Sequence, residues 1–248
     1  MKQFGLIGYP LSHSWSEKFF TDKFRTAGLS DHSYHLFPLP HLEEFPRFIH
    51  THPNLTGFNV TIPYKERIIP FLDHLDRRAE EIGAVNTVIL KPGNGKRILT
   101  GYNTDADGFR DSADFSGHSQ ALILGTGGAA KAVCFALKGL GITPILVSRN
   151  PAGPGIIGYK NLNLKLLREV YLIINTTPCG MSPETGSFPT LPYHLLTPRH
   201  FLYDLIYNPE ETLFLKKGAE YGAKTQSGYT MLLLQAEFAY ALFTKSGS

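Results

Sequence analysis

Apolar and polar residues along this chain fall into short blocks of two periods, and the two kinds of block take turns. Residues 3–8 are a brief, mostly apolar run of strand length. After a Ser-rich turn, apolar spacing predicts a helix over residues 16–27, closed by Gly28. Residues 33–39 read as a second strand and residues 42–50 as a short helix interrupted at Pro46. The alternating segment 58–62 is a third strand. Pro63 stops it and suits the first turn of a helix, which would place Lys65 in that turn. Residues 76–82 predict a helix ended by Gly83. Residues 84–90 and 97–102 flank Lys91-Pro92-Gly93-Asn94-Gly95-Lys96, which has the composition of a hairpin turn. The N-terminal part is thus expected to be an α/β unit of parallel crossovers with an antiparallel addition at its edge.

A second unit begins near Asp107. Residues 121–124 form an apolar strand, Gly125-Thr126-Gly127-Gly128-Ala129-Ala130 opens a helix running to about Lys138, and residues 144–147 are the next strand. Strand, glycine-rich turn, helix and strand in this order make a dinucleotide fingerprint of the G-x-G-x-x-A form. Gly125 permits the tight turn, Gly127 lets backbone approach a pyrophosphate, and Ala130 allows close helix–strand packing. An acidic residue after the second strand would hold the ribose 2′-hydroxyl of NAD, but the chain has Ser148-Arg149-Asn150. Arg149 offers a planar cation to a 2′-phosphate, which favours NADP. Beyond it Pro151-Ala152-Gly153-Pro154-Gly155 cannot be helix, so the unit is expected to be abbreviated after its second strand, with a short helix within residues 162–169. A strand at 171–175, the loop Thr176-Thr177-Pro178-Cys179-Gly180-Met181 and a last strand at 202–206 complete it.

Composition narrows the class. The chain has 248 residues, 42% hydrophobic and 18% charged, which is the make-up of a folded chain with room for one large domain or two ordinary ones. A net charge of +3 with scattered basic residues argues against nucleic acid. Cys134 and Cys179 are the only cysteines and form no CxxC pair, and the ten histidines show no metal-ligand spacing. The N-terminal run is broken by Gly5, Gly8 and Pro10, unlike a signal peptide, and no apolar run is long enough to span a bilayer. A cytoplasmic protein with no metal and no membrane partner is the expectation.

Several polar residues stand where chemistry is plausible. A helix dipole at Lys65 would oppose its charge by a few tenths to about 1 kcal/mol, which marks a candidate proton-transfer group; the plain alternative is a solvated lysine beside Glu66. Ser12, Ser14 and Ser16 follow the first strand and offer hydroxyls to a carboxylate, or Ser14 or Ser16 simply caps the next helix. In Asn103-Thr104-Asp105, Asp105 follows a strand and suits a helix cap. Gln235 and Glu237 have equally apolar helical neighbours, so spacing does not choose between them.

Taken together these motifs resemble the shikimate dehydrogenase family over nearly the whole chain. The resemblance rests on Gly8-Tyr9-Pro10 with His13-Ser14-Trp15-Ser16, on Asn59-Val60-Thr61-Ile62-Pro63-Tyr64-Lys65-Glu66, on Gly83-Ala84-Val85-Asn86-Thr87 and on Asn103-Thr104-Asp105. It continues through Gly125 to Ala129, Asn175 to Met181, Tyr207-Asn208-Pro209 and Gly228 through Met231 to Gln235. It implies an α/β fold of two domains: a substrate-binding domain with a mixed, mostly parallel sheet (residues 1–106 plus 222–248) and a Rossmann-type NADP domain (residues 107–221).

The implied activity is NADP-dependent reduction of 3-dehydroshikimate to shikimate, with Lys65 and Asp105 as the catalytic pair. Ser14, Ser16, Thr61, Asn86, Tyr207 and Gln235 are the implied substrate residues. Gly125, Thr126, Gly127, Gly128, Ala129, Arg149, Leu205 and Gly228 are the implied cofactor residues, in a monomer or homodimer. The chain departs from the family in having Glu17 where proline is common, in lacking a second basic residue near Arg149, and in its short 151–164 stretch. A preference for quinate, or a catalytically silent NADPH-binding module, are the other readings of this fold; the retained Lys65 and Asp105 weigh against silence.

Overall fold

The computed structural model describes residues 1–11, 15–93 and 95–245. The chain divides into two units, Met1–Thr104 with Gln235–Ser248, and Asp105–Leu234. The first holds β1 (Lys2–Gly8), β2 (His32–Pro38), β3 (Leu55–Val60), β4 (His74–Leu75), β5 (Thr87–Pro92) and β6 (Arg97–Tyr102), with α1 (Trp15–Thr26), α2 (Phe45–Thr51) and α3 (Arg77–Ile82). Its sheet runs β2-β1-β3-β5-β6-β4. β1 is parallel to both neighbours and buried over its last five residues, as a central parallel strand requires. The β5–β6 hairpin is antiparallel to β3, but it is not the edge: the two-residue β4 pairs with β6 outside it. Pro46 does not interrupt a helix either. A 3-10 turn, Leu42–Glu44, precedes it, and Pro46 sits in the first turn of α2, where its missing N–H costs nothing.

The helix expected after Pro63 is absent. Residues 61–68 run as turns (Tyr64 N–H to Thr61 O 2.9 Å, Ile68 N–H to Tyr64 O 2.9 Å) into a single 3-10 turn, Ile69–Phe71. Pro70 has no N–H and restricts Ile69, so too little chain is left for a helix to propagate. The dipole field expected at Lys65 therefore goes with it.

Apolar clusters fill the first unit. Phe45, Phe58, Val60, Tyr64, Val85 and Val88 pack in one. Phe4, Phe20, Phe24 and Tyr34 form another with Ala236, Ala239 and Phe243 from the last helix. Arg97 at the start of β6 ties the end of α2 to the sheet. Its guanidinium donates to the carbonyls of Ile49, His52 (2.8 Å), Leu55 (3.1 Å) and Pro53 (3.3 Å), and burial depresses its pKa. These acceptors include carbonyls that the last turn of α2 leaves without helical partners. Arg97→Ala is expected to lower stability by about 2 kcal/mol in urea titration, with Arg97→Lys intermediate because an ammonium cannot fork. A variant as stable as wild type would show that these carbonyls are equally well served by water.

The second unit holds α4 (Asp105–Arg110), β7 (Gln120–Leu124), α5 (Gly128–Gly139), β8 (Thr143–Ser148), β9 (Ile156–Gly158), α6 (Leu164–Leu167), β10 (Leu172–Asn175), β11 (Phe201–Asp204), α7 (Leu213–Glu220), β12 (Lys224–Gln226) and the start of α8 (Tyr229–Lys245). Its sheet, β12-β11-β10-β7-β8-β9, is parallel throughout. Strand order reverses on either side of β7, the switch point at which such sheets bind ligands. The expected abbreviation holds for the helix between β8 and β9 but not for the strand: Ile156–Gly158 pairs with residues 146–148. β11 is not the last strand, since β12 follows it. Leu122, Val147, Ile173, Leu202 and Phe214 lie in the core on one side. Phe109, Phe115 and Tyr203 pack together elsewhere in the unit.

Candidate active site

In the first unit the functional candidates collect where strands end. β3 stops at Val60, and the Thr61 N–H is held by the Ile7 carbonyl at 2.9 Å. Tyr64 is buried, and its hydroxyl donates to the carbonyls of Leu39 (2.5 Å) and Pro40 (3.0 Å). That anchor precedes Lys65, whose own carbonyl accepts the Val85 N–H at 2.7 Å. Lys65 is thus fixed by its backbone on both sides and is half-buried, while Glu66 is beside it. Ser16 is the second residue of α1 and partly buried; Ser14 lies outside the described residues.

Asn86 stands just before β5 and is buried. Its Oδ1 accepts the Thr104 N–H at 2.8 Å, and its Nδ2 donates to Thr104 Oγ1 (2.9 Å) and Gln235 Oε1 (3.4 Å). The structure therefore chooses where spacing did not: Gln235 meets Asn86, whereas Glu237 pairs with Lys23 at 2.6 Å on a half-exposed face. Asn59 and Thr87, buried beside Asn86, fall in the motifs that carry the resemblance but were given no site role. Their signal is a polar residue inside an apolar strand segment, as in Phe58-Asn59-Val60.

In the second unit Asp105 is the first residue of α4 and 4% exposed. A carboxylate there is favoured by the positive end of the helix. The glycine-rich turn leaves β7 with Gly125 at φ +115°, a left-handed conformation that favours glycine, and a Cβ there would lie 2.6 Å from Thr176 Oγ1. Gly127 is the extended N-cap of α5 and offers no side chain to its N–H groups; a Cβ on it would meet nothing within 4 Å. Thr126 and Gly127 are exposed, Gly128 and Ala129 half-exposed and Ala130 buried. Bare amides at a helix start with open space before them fit a pyrophosphate. Arg149 follows β8 and is exposed, next to a turn closed by Ser148 Oγ and the Asn150 backbone.

Two buried side chains that were given no site role from the sequence shape the adjoining loops. Asn175 ends β10 and Asp204 ends β11, in register. Asn175 donates to Asp204 Oδ1 at 3.0 Å and accepts the Thr177 N–H (3.0 Å) and hydroxyl (2.6 Å). Asp204 also accepts from the Ile206 N–H (3.1 Å) and the Thr212 hydroxyl (2.6 Å). Burial pushes the Asp204 carboxyl up to about 6 against the pull of these donors. Their signal is the same: a polar residue closing an apolar strand. Leu205 and Gly228 are in contact, for a Cβ on Gly228 would lie 2.1 Å from the Leu205 carbonyl oxygen. Tyr207 is exposed beyond them. Among the described residues no cluster of ligating side chains fits a metal ion, and no helix is long and apolar enough to cross a membrane.

This is a Rossmann-type dinucleotide fold joined to a mixed-sheet α/β unit. A profile of the shikimate dehydrogenase substrate binding domain matches residues 6–88. The shikimate dehydrogenase (NADP(+)) of Caldanaerobacter subterraneus subsp. tengcongensis is 38% identical over 98% of this chain and 91% of its own length. That of Desulforamulus reducens is 40% identical over 97% and 89%. The crystal structure of shikimate 5-dehydrogenase from Thermus thermophilus, in complex with NADP(H) and shikimate, superposes with a TM-score of 0.84 at 32% identity, covering 99% of this chain and 94% of that one. The chain belongs to the shikimate dehydrogenase family.

Proposed function

We propose that this chain is an NADP-dependent oxidoreductase that interconverts 3-dehydroshikimate and shikimate in the cytoplasm, as a monomer or homodimer. The observation that carries the reading is the coexistence of a backbone-anchored Lys65 at the end of β3 with an uncapped glycine-rich turn opening α5. The first unit holds the substrate: Ser14 and Ser16 take its carboxylate, while Thr61, Asn86, Tyr207 (from the second unit) and Gln235 contact the carboxylate or the ring hydroxyls. The remainder of the second unit holds the cofactor, with residues 125–129 at the pyrophosphate, Arg149 at the 2′-phosphate, and Leu205 and Gly228 as further cofactor contacts.

When bound, NADPH supplies the hydride that reduces the C3 carbonyl. Lys65 donates a proton or hydrogen bond to the oxygen on which negative charge develops. Asp105 supplies the balancing negative charge and binds a neighbouring hydroxyl. Nicotinamide absorbance, followed with shikimate or quinate and with NADP or NAD, tests the reading. Fastest turnover is expected with shikimate and NADP; no turnover with shikimate and either cofactor would overturn it.

The cofactor preference is expected to run through Arg149. A charge-assisted hydrogen bond to a phosphate contributes about 1.5–3 kcal/mol, and an exposed arginine belongs at the lower end. Arg149→Ala should raise the KM for NADP about tenfold and leave NAD nearly unchanged. Equal losses with both cofactors would remove Arg149 from phosphate recognition.

A further inference from the structure

Behind the Asn86 amide lies a buried relay of hydrogen bonds whose direction is set by two backbone groups. The first is the Asn86 carbonyl, which can only accept. Asn59 sends a hydrogen bond to it at 3.3 Å, so that atom of Asn59 is Nδ2 and its amide orientation is settled. Asn59 Nδ2 also donates to Thr87 Oγ1 at 3.0 Å, and Asn59 Oδ1 accepts the Tyr34 hydroxyl at 2.9 Å. Having accepted from Asn59, the Thr87 hydroxyl directs its proton to Asn86 Oδ1 at 3.1 Å.

The second group is the Thr104 N–H, which can only donate. It reaches Asn86 at 2.8 Å, so that atom is Oδ1. The Thr104 hydroxyl lies 3.2 Å from the same oxygen. Turning the Asn86 amide over would set its NH2 group against the Thr104 N–H, donor against donor, and would take from the Thr87 hydroxyl the oxygen to which it donates. Tyr34, Asn59, Asn86, Thr87 and Thr104 are all buried, so water does not relieve such a mismatch. The Tyr34 ring is itself held by stacking on Phe20, with centroids 4.5 Å apart.

We infer that Tyr34, Asn59 and Thr87 are positioning residues that hold the Asn86 amide with its NH2 group toward Gln235, so that a substrate oxygen that displaces the 3.4 Å contact to Gln235 is bound as an acceptor. The inference rests on the proposed shikimate reading, in which Asn86 and Gln235 contact the substrate. It gives the site a polarity: a ring oxygen, whether carbonyl or hydroxyl, satisfies it, and a group that can only donate does not.

Steady-state kinetics with shikimate and saturating NADP test the relay in Thr87→Val, Thr87→Ser and Tyr34→Phe. Valine keeps the shape of Thr87 and removes its hydroxyl; serine does the reverse. Thr87→Val is expected to raise the KM for shikimate about tenfold and Tyr34→Phe about threefold, the order of one net hydrogen bond, with kcat far less affected. Thr87→Ser should return the KM to within about twofold of wild type, and the KM for NADP should not move in any of them. Tyr34→Phe, which keeps the ring stack, carries the test should Thr87→Val fail to fold. An unchanged shikimate KM in the folded variants overturns the relay, as does a Thr87→Ser enzyme as impaired as Thr87→Val. A wild-type protein inert toward shikimate overturns both the relay and the functional reading, whereas an active wild type with indifferent variants overturns the relay alone.

Discussion

Lys65→Met protein is expected to lose at least about 100-fold in turnover while its KM for shikimate changes far less. The expectation rests on placement. Lys65 follows a tyrosine whose hydroxyl is bonded to two carbonyls, and its own carbonyl is held by Val85, so its backbone is fixed before any ligand arrives. A group positioned in advance contributes where charge develops, in the transition state, rather than in ground-state binding. Methionine keeps most of the aliphatic stem and removes the ammonium, so packing is retained. Asp105→Asn should also cost activity, and the double variant should lose much less than the product of the two, since groups acting as a unit are not additive. A Lys65→Met enzyme keeping more than about a tenth of wild-type turnover would sink this role, because general acid–base catalysis is typically worth 10²–10⁴-fold.

Gly228→Ala is expected to destabilise the protein by about 3 kcal/mol. The added Cβ would stand 2.1 Å from the Leu205 oxygen, 2.5 Å from its carbonyl carbon and 3.0 Å from the Asp204 oxygen. All three are backbone atoms, so no side chain can swing aside. The backbone there is also tied twice: Gly228 N–H donates to the Ile206 carbonyl at 3.0 Å, and Ile206 N–H donates to Asp204 at 3.1 Å. Relief requires the entry to α8 to part from the end of β11. Overpacking costs about 1–3 kcal/mol, and a backbone clash belongs at the top of that range. At about 2–4 °C per kcal/mol for a chain of this size, the melting temperature should fall by roughly 10 °C. Unchanged melting and unchanged NADP affinity would show that the junction yields without cost.

The regular parts of the fold were legible because their patterns are strong: apolar runs at β1, β7 and β10, and the glycine turn before α5. What escaped is short or set by partners. β4, β9 and β12 have two or three residues each, too few to display alternation, and exist because a neighbouring strand pairs with them. α7 carries Gly218 in its interior, which weakens the local helical signal, and the supposed helix after Pro63 is pre-empted by Pro70. In the candidate site, Lys65, Asn86 and Gln235 stand out by residue type and resemblance. Asn59 and Asn175 fall in the motifs that carry the resemblance, but their roles and that of Asp204 were not legible, because what they do depends on which side chain lies across the sheet. Asn86 and Gln235 are 149 residues apart in the chain, a proximity that no local pattern encodes.

The split composition of the first unit governs the order in which it can be completed during synthesis. Phe4, Phe20 and Phe24 leave the ribosome early, yet their cluster is closed by Phe243, which packs on Phe4 at 4.7 Å and Phe20 at 5.4 Å. All of Asp105–Leu234 must be translated in between, which at ~5–20 residues per second takes on the order of ten seconds. Throughout that interval the nascent first unit has its strands but not its last wall, and its Asn86 has no Gln235 to meet. The second unit, continuous in sequence, can fold while the first waits. The newborn chain therefore completes the glycine-rich turn before α5 earlier than it brings Gln235 to Asn86.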